Sequence, residues 1–345
     1  LSSDQQLFNH AGAEGAVVVS DDKKSVDLVL EGGGVKGIGL LGAVLTLYDA
    51  GYRFERVAGT SAGAIVAALV VAYQQARRDL HELEEVMHTV DYPRFADGPI
   101  LEKLTGRLGE GLELLLHEGA HSGDYLDEWL TPLLEKINVR TFADLRIHDR
   151  HSTLKDYQQY SLVVHVSDLT RRALVRLPWD YSQYGKTADN ELVVDAVRAS
   201  MSIPFYFRPV QLATPRGKVT WVDGGLLSNF PITVFDRTDN KKPRWPTWGI
   251  KLSGAPVPGE DKPIHTAVGM AIRSLETLTA DWNRYQLNEE GVNQRTIYVN
   301  TDGISAINFN LSADAQNTLF SNGRAAAAEF LTQYNGTLSQ SYPWR

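Results

Sequence analysis

Two glycine-rich turns, each leading from a short apolar run into a helical one, constrain this chain more than any other feature. Residues 26–30 read as a buried strand, because a short apolar run is bounded by turn residues. That run enters Glu31-Gly32-Gly33-Gly34-Val35-Lys36-Gly37. A helical pattern follows over 37–50, with Gly51 placed where a left-handed residue ends a helix. Val57-Ala58 is a second short strand, and it leads into Gly59-Thr60-Ser61-Ala62-Gly63 and a helix to about Arg78. The start of that helix is apolar nearly all round, so it is expected in the core. Strand, helix, strand, helix in this order argues for an α/β fold of three layers, a mostly parallel central sheet with helices on both faces.

Further along, strands are expected at 161–166, 173–177, 219–222, 248–252 and 296–300, and helices at 191–199, 264–288 and 314–334. The stretch 79–143 is helical but looser. With no internal repeat, low-complexity tract or linker, the 345 residues divide into an N-terminal tail over 1–24 and one domain over 25–335, with a lid insertion around 91–123. Hydrophobic residues at 43% and charged residues at 22% are ordinary for a globular protein. A formal net charge of -8 disfavours broad attraction to nucleic acid or an anionic bilayer, and no nucleic-acid partner is expected. The absence of cysteine removes disulfides, thiolate metal sites and a cysteine nucleophile. No run reaches the roughly 18 apolar residues that a spanning helix needs, so no transmembrane segment is expected.

Three segments carry chemistry. Gly59-Thr60-Ser61-Ala62-Gly63 has the Gly-x-Ser-x-Gly form of a tight strand-to-helix turn. Its glycines, Gly59 and Gly63, relieve Cβ clashes, and the helix N-terminus behind Ser61 favours negative charge. The loop at 32–37 fits G-x-G-x-x-G through Gly32, Gly34 and Gly37, but the dinucleotide reading also wants an acidic residue about 20 positions on, at the end of the next strand. A second glycine turn stands there instead. Consecutive glycines offer backbone N–H groups able to converge on one oxyanion. Asp223-Gly224-Gly225 follows an apolar strand, which puts a carboxylate at the strand edge where α/β sheets place their sites. Ala199-Ser200-Met201-Ser202-Ile203-Pro204 precedes it and is expected to wall the pocket.

Taken in order and spacing, Glu31 to Gly37, Gly59 to Gly63, Ala199 to Pro204 and Asp223 to Gly225 resemble the patatin-like phospholipase pattern, over about residues 26–252. The resemblance implies Ser61 as nucleophile and Asp223 as its partner in a dyad with no histidine. It implies Gly33 and Gly34 in the oxyanion hole, with Gly32 and Val35 close by. Glu31 departs from the aspartate common at the head of the loop, where its role would be structural. Lys36 matches a position that is often basic in the family. The implied activity is hydrolysis of acyl esters in phospholipids, lysophospholipids or neutral lipids. The expected partner is a membrane or micellar lipid, with no cofactor and no metal, in a cytoplasmic or peripheral-membrane setting; nothing in the sequence decides against secretion or fixes the oligomeric state.

Other readings stay open at this point. Ser61, Asp223 and His265 follow the chain order of a Ser-Asp-His esterase. Against it, few strands precede Ser61 and His265 opens a helical stretch. A lipid-binding or scaffolding relative with little turnover is a different class, since fold alone does not prove turnover. His117 with His121, and His148 with His151, lack a third metal ligand. Leu104, Leu108, Leu112, Leu115 and Leu116 lie near helical spacing and suit either an apolar flap or an ordinary amphipathic helix. Lys241-Lys242-Pro243-Arg244-Trp245 with Trp248 suits either a membrane interface or a solvated loop beside a buried tryptophan.

Overall fold

The computed structural model describes residues 24–95, 123–148, 154–204, 206–239, 241, 243–253, 290–306 and 309–337. The chain opens as expected with β1 (Lys24–Leu30), α1 (Gly37–Asp49), β2 (Tyr52–Thr60) and α2 (Ala62–Gln75). Then come α3 (Glu82–His88), α4 (Tyr92–Phe95), α5 (Asp124–Glu135), β3 (Leu162–Asp168), β4 (Ala173–Leu177) and α6 (Val193–Ser200). The remainder holds β5 (Val210–Thr214), β6 (Gly217–Asp223), β7 (Thr247–Ser253), α7 (Glu290–Asn293), β8 (Thr296–Asn300) and α8 (Ala313–Thr337). The strands form one sheet in the order β5-β6-β3-β2-β1-β7-β8, with β4 also paired to β3. Pairings from β3 through β2, β1 and β7 to β8 are parallel, whereas β4 and β6 each pair antiparallel with β3, and β5 pairs antiparallel with β6. The α/β fold with a mostly parallel sheet and packed helices is therefore the one the chain adopts.

The central strands are continuous apolar runs because both of their faces are covered. Val26, Leu28, Val29 and Leu30 are fully buried, and all seven residues of β3 are buried. β2 is longer than Val57-Ala58 alone suggests. Its first half alternates, with Tyr52 and Phe54 buried and Arg53 and Glu55 less so, which is a half-covered strand. α2 ends before Arg78 for a local reason. Arg77 is left-handed (φ 55°), its N–H bonds the Gln74 carbonyl and the Arg78 N–H bonds the Tyr73 carbonyl, the two bonds of a Schellman stop.

α8 closes the fold by lying against α1 and the β7–β8 edge. Trp248 of β7 is fully buried, with its ring edge-on to Tyr52, Phe330 and Tyr334 at 4.7–5.0 Å. It belongs to the core and not to a lipid-facing surface, while Arg244 stacks over Trp245 nearby. β5 has no counterpart among the expected strands: its residues are only partly buried, and it is held by pairing to β6 at the sheet edge. The helix expected over 264–288, the leucines of the expected flap, and His117, His121, His151 and His265 lie outside the described residues.

Candidate active site

β2 ends at Thr60, α2 begins at Ala62, and Ser61 makes the whole turn between them. Its backbone sits at φ 54°, ψ -125°, a region that side chains avoid at a cost of about 1–3 kcal/mol. Close packing restrains the chain beside it. A Cβ on Gly63 would stand 2.4 Å from the Leu30 carbonyl oxygen and 2.6 Å from that of Glu31. The elbow is thus pressed against the end of β1, and only glycine permits the approach. Gly59 brackets the turn from the strand side.

Asp223 reaches Ser61 through β3. In the β2–β3 register Thr60 lies opposite His165, and in the β3–β6 register Asp223 lies opposite the next residue, Val166. The ends of β2 and β6 therefore meet one step apart on the same strand. Asp223 is 5% exposed, and burial pushes its carboxyl up to about 7, while the Ser61 hydroxyl and the Gly225 N–H pull it down. Oδ1 accepts from the Gly225 N–H at 2.7 Å. Oδ2 is buried without a partner that meets full hydrogen-bond geometry, and the Ser61 hydroxyl points at Met201 Sδ, 3.6 Å away. The two side chains thus face each other without a fully formed hydrogen bond, as is common in unliganded sites.

In the glycine loop, two of the four N–H groups already have partners. The Gly32 N–H donates to the Asn229 carbonyl at 3.1 Å, and the Val35 N–H donates to the Ala306 carbonyl at 3.0 Å. Among the described residues none accepts from Gly33 or Gly34. Gly34 has φ +56°, and a Cβ there would fall 1.9 Å from the Ala306 carbonyl oxygen, so the loop is wedged against that segment. Asn229 also donates through Nδ2 to the Gly32 carbonyl at 2.9 Å, which clamps both sides of this glycine. Glu31 anchors the head of the loop, as expected of a structural residue: it accepts from Lys251 Nζ and, at 2.6 Å, from the Leu252 N–H. Lys36 turns away to Thr301 Oγ1 at 3.1 Å.

The segment from Ala199 to Pro204 does more than wall a pocket. The Ser61 N–H donates to Ser200 Oγ at 2.9 Å, Ser200 Oγ donates to the His165 carbonyl at 2.7 Å, and the Asp223 N–H donates to the Ser202 carbonyl at 2.9 Å. Neither Ser200 nor Asn229 stands out in the sequence by itself; the only available signal was their place beside the motifs. His165 was also missed. Its ring is fully buried, with burial pushing its pKa down to about 4 and Nδ1 unpartnered, and no hydrogen bond links it to Ser61 or Asp223 among the described residues. An apolar pocket opens beside the elbow, lined by Ala62, Ile65, Met87, Val90, Tyr92, Phe95, Met201, Ile203, Phe207 and Phe309 together with Gly34, Val35 and Gly37. Among the described residues no group of three or more metal-ligating side chains is placed to hold an ion, and no helix is long and apolar enough to cross a membrane.

The parallel sheet thus brings a strained serine and a buried carboxylate to adjoining strand ends. Comparison with known proteins supplies the class. The patatin-like phospholipase family model matches residues 28–236. YqhO of Bacillus subtilis is 33% identical over 309 residues, which span 90% of this chain and 99% of that protein. The chain belongs to the patatin-like phospholipase family, and lipid hydrolysis is the general activity that this membership supports. A protein of Invertebrate iridescent virus 6, "Probable lipid hydrolase 463L", is 25% identical over 220 residues, or 62% of this chain and 64% of that one. Among solved structures, VipD from Legionella pneumophila aligns with 90% of this chain and 67% of its own, at 17% identity and a TM-score of 0.49.

Proposed function

We propose that this protein is a lipid acyl hydrolase that cleaves acyl esters of phospholipids or lysophospholipids through a Ser61–Asp223 dyad and an acyl-enzyme. Asp223 takes the Ser61 proton as Oγ attacks the ester carbonyl, and a tetrahedral oxyanion forms. The free N–H groups of Gly33 and Gly34 hold that oxyanion, while Gly32 and Val35 shape the loop through bonds already made. Protonated Asp223 passes its proton to the leaving alcohol as the C–O bond breaks. Water then attacks the acyl-enzyme, gives its proton to Asp223, and the free acid leaves as Ser61 is restored.

One observation carries the reading: a carboxyl pushed by burial to about 7, with one oxygen lacking a full hydrogen bond, facing the strained serine. An ordinary aspartate near 3.9 is a poor base at neutral pH, whereas one near 7 matches the medium in which it works. The pocket beside the elbow is apolar, the character that an acyl chain needs, and the printed name of the iridescent-virus relative points the same way. The setting we assign is the surface of a membrane or micelle. A fluorophosphonate probe tests the reading, read beside a panel of phospholipid, lysophospholipid, triacylglycerol and short p-nitrophenyl esters. Wild type should label and hydrolyse at least one lipid ester, and Ser61→Ala should do neither. A wild-type protein that binds lipid vesicles without labelling would instead be a lipid-binding relative.

A further inference from the structure

We propose that Ser200 is a positioning residue that locks the backbone of the nucleophile, an assignment that rests on the reading of Ser61 given above. Ser61 sits in a strained turn, and its N–H cannot join α2 because a helix leaves its first amides without internal partners. The amide is buried with the rest of Ser61, which is 4% exposed, so it must find an acceptor or remain orphaned. Ser200 supplies that acceptor. Its hydroxyl, itself fully buried, accepts from Ser61 N–H at 2.9 Å and donates to the His165 carbonyl at 2.7 Å.

The second of these bonds gives the first its direction. His165 lies opposite Thr60 in one register and precedes Val166, the residue opposite Asp223, in the other. Ser200 thereby ties the nucleophile's amide to the strand that also sets the position of the carboxylate. Two residues further on, the Ser202 carbonyl accepts from the Asp223 N–H at 2.9 Å. One short piece of chain thus grips both members of the dyad by their backbones, and only the grip on Ser61 depends on a side chain. Without the hydroxyl, the peptide between Thr60 and Ser61 is free to rotate out of its strained state, carrying Oγ away from Asp223. Ser200 Oγ is bonded to backbone groups on both sides, so its part in turnover is exerted through Ser61.

The test compares wild type with Ser200→Ala and with Ser200→Cys, which fills similar space with a weaker donor and acceptor. Three readouts are taken: kcat and KM on the best ester of the panel, the rate of fluorophosphonate labelling, and residue-resolved hydrogen exchange at the Ser61 amide. Ser200→Ala should lower kcat and labelling at least 30-fold with KM within about twofold, and speed exchange of the Ser61 amide at least 100-fold. Ser200→Cys should fall between the two, and it carries the test if the alanine variant does not fold. Turnover within twofold of wild type in a folded variant, or a Ser61 amide as protected as in wild type, would overturn the proposal. Failure of wild type itself to label would sink the hydrolase reading alone, because the exchange measurement still judges the lock.

Discussion

The two glycine turns that build the site are held by different means. The elbow at Gly59–Gly63 is held mainly by close packing, with Gly63 pressed on the carbonyls that end β1, and by one bond from afar, Ser61 N–H to Ser200 Oγ. The loop from Gly32 to Lys36 is held by distant partners throughout: Asn229 clamps Gly32, Ala306 takes the Val35 N–H, and Lys251 with Leu252 anchors Glu31. A turn of the first kind owes most of its geometry to the glycines within it. A turn of the second kind has a geometry that emerges only after the rest of the sheet has assembled. The distant partners also occupy two amides, and among the described residues none accepts from the other two.

The sharpest break falls on the elbow side. Asp223→Asn should lower kcat by about 10³-fold or more, since the dyad loses its only base. The same change should stabilise the fold, and its sign can be worked out. The unfolded carboxyl ionises near 3.8 and the folded one near 7, so the native state is penalised progressively between those pH values and fully above 7. Denaturant titration at pH 8 should find Asp223→Asn more stable by up to about 4 kcal/mol, a gap that closes toward pH 4.

Next comes a pair that sets the turns directly against each other. Gly63→Ala should cost about 3 kcal/mol or more of folding stability, because the clash is with backbone that has nowhere to go. Gly34→Ala should fold, with the adjoining 306 segment displaced, and lose about 10²- to 10³-fold in kcat as the oxyanion donors shift. If thermal unfolding and turnover place the two variants in the opposite order, the contrast between local and distant support is wrong. Asn229→Ala should cost less, about 10-fold in kcat with KM little changed, since the Gly32 N–H keeps its bond to the backbone carbonyl at 229. The pH profile of wild type tests the same carboxyl without a substitution. kcat/KM should rise about tenfold per unit below a midpoint near 7 and level off above it, as the carboxylate form fills. A midpoint near 4 would mean that Asp223 is not the titrating base.

This contrast also explains how much could be read from the sequence. β1, α1, the elbow and α2 were legible because periodic apolar runs and glycines sit within a few residues of what they determine. Asp223-Gly224-Gly225 was legible as a strand end. β5 was not, since an edge strand with partly buried residues has no continuous apolar run to announce it. The span of β2 was underestimated for a related reason, as the alternation of Tyr52 to Glu55 was outweighed by its charges. Asn229 and His165 were passed over, and Ser200 was seen only as part of the pocket-walling 199–204 segment, because their parts are played through backbone partners, and a side chain bonded to a remote peptide group leaves no pattern along the chain. The partition of the glycine amides into occupied and open ones is likewise a property of tertiary contacts.

The register of β3 has a consequence for how such a protein can vary. Ser61 and Asp223, the proposed nucleophile and base, are indexed to adjacent steps of a single ribbon, so their spacing does not depend on the length of the loops between them. The parts of that intervening chain outside β3 and the 199–204 segment can be lengthened, trimmed or exchanged, and both groups still arrive side by side. Choice of substrate and choice of chemistry are thereby separable, and the first can drift while the second stays put.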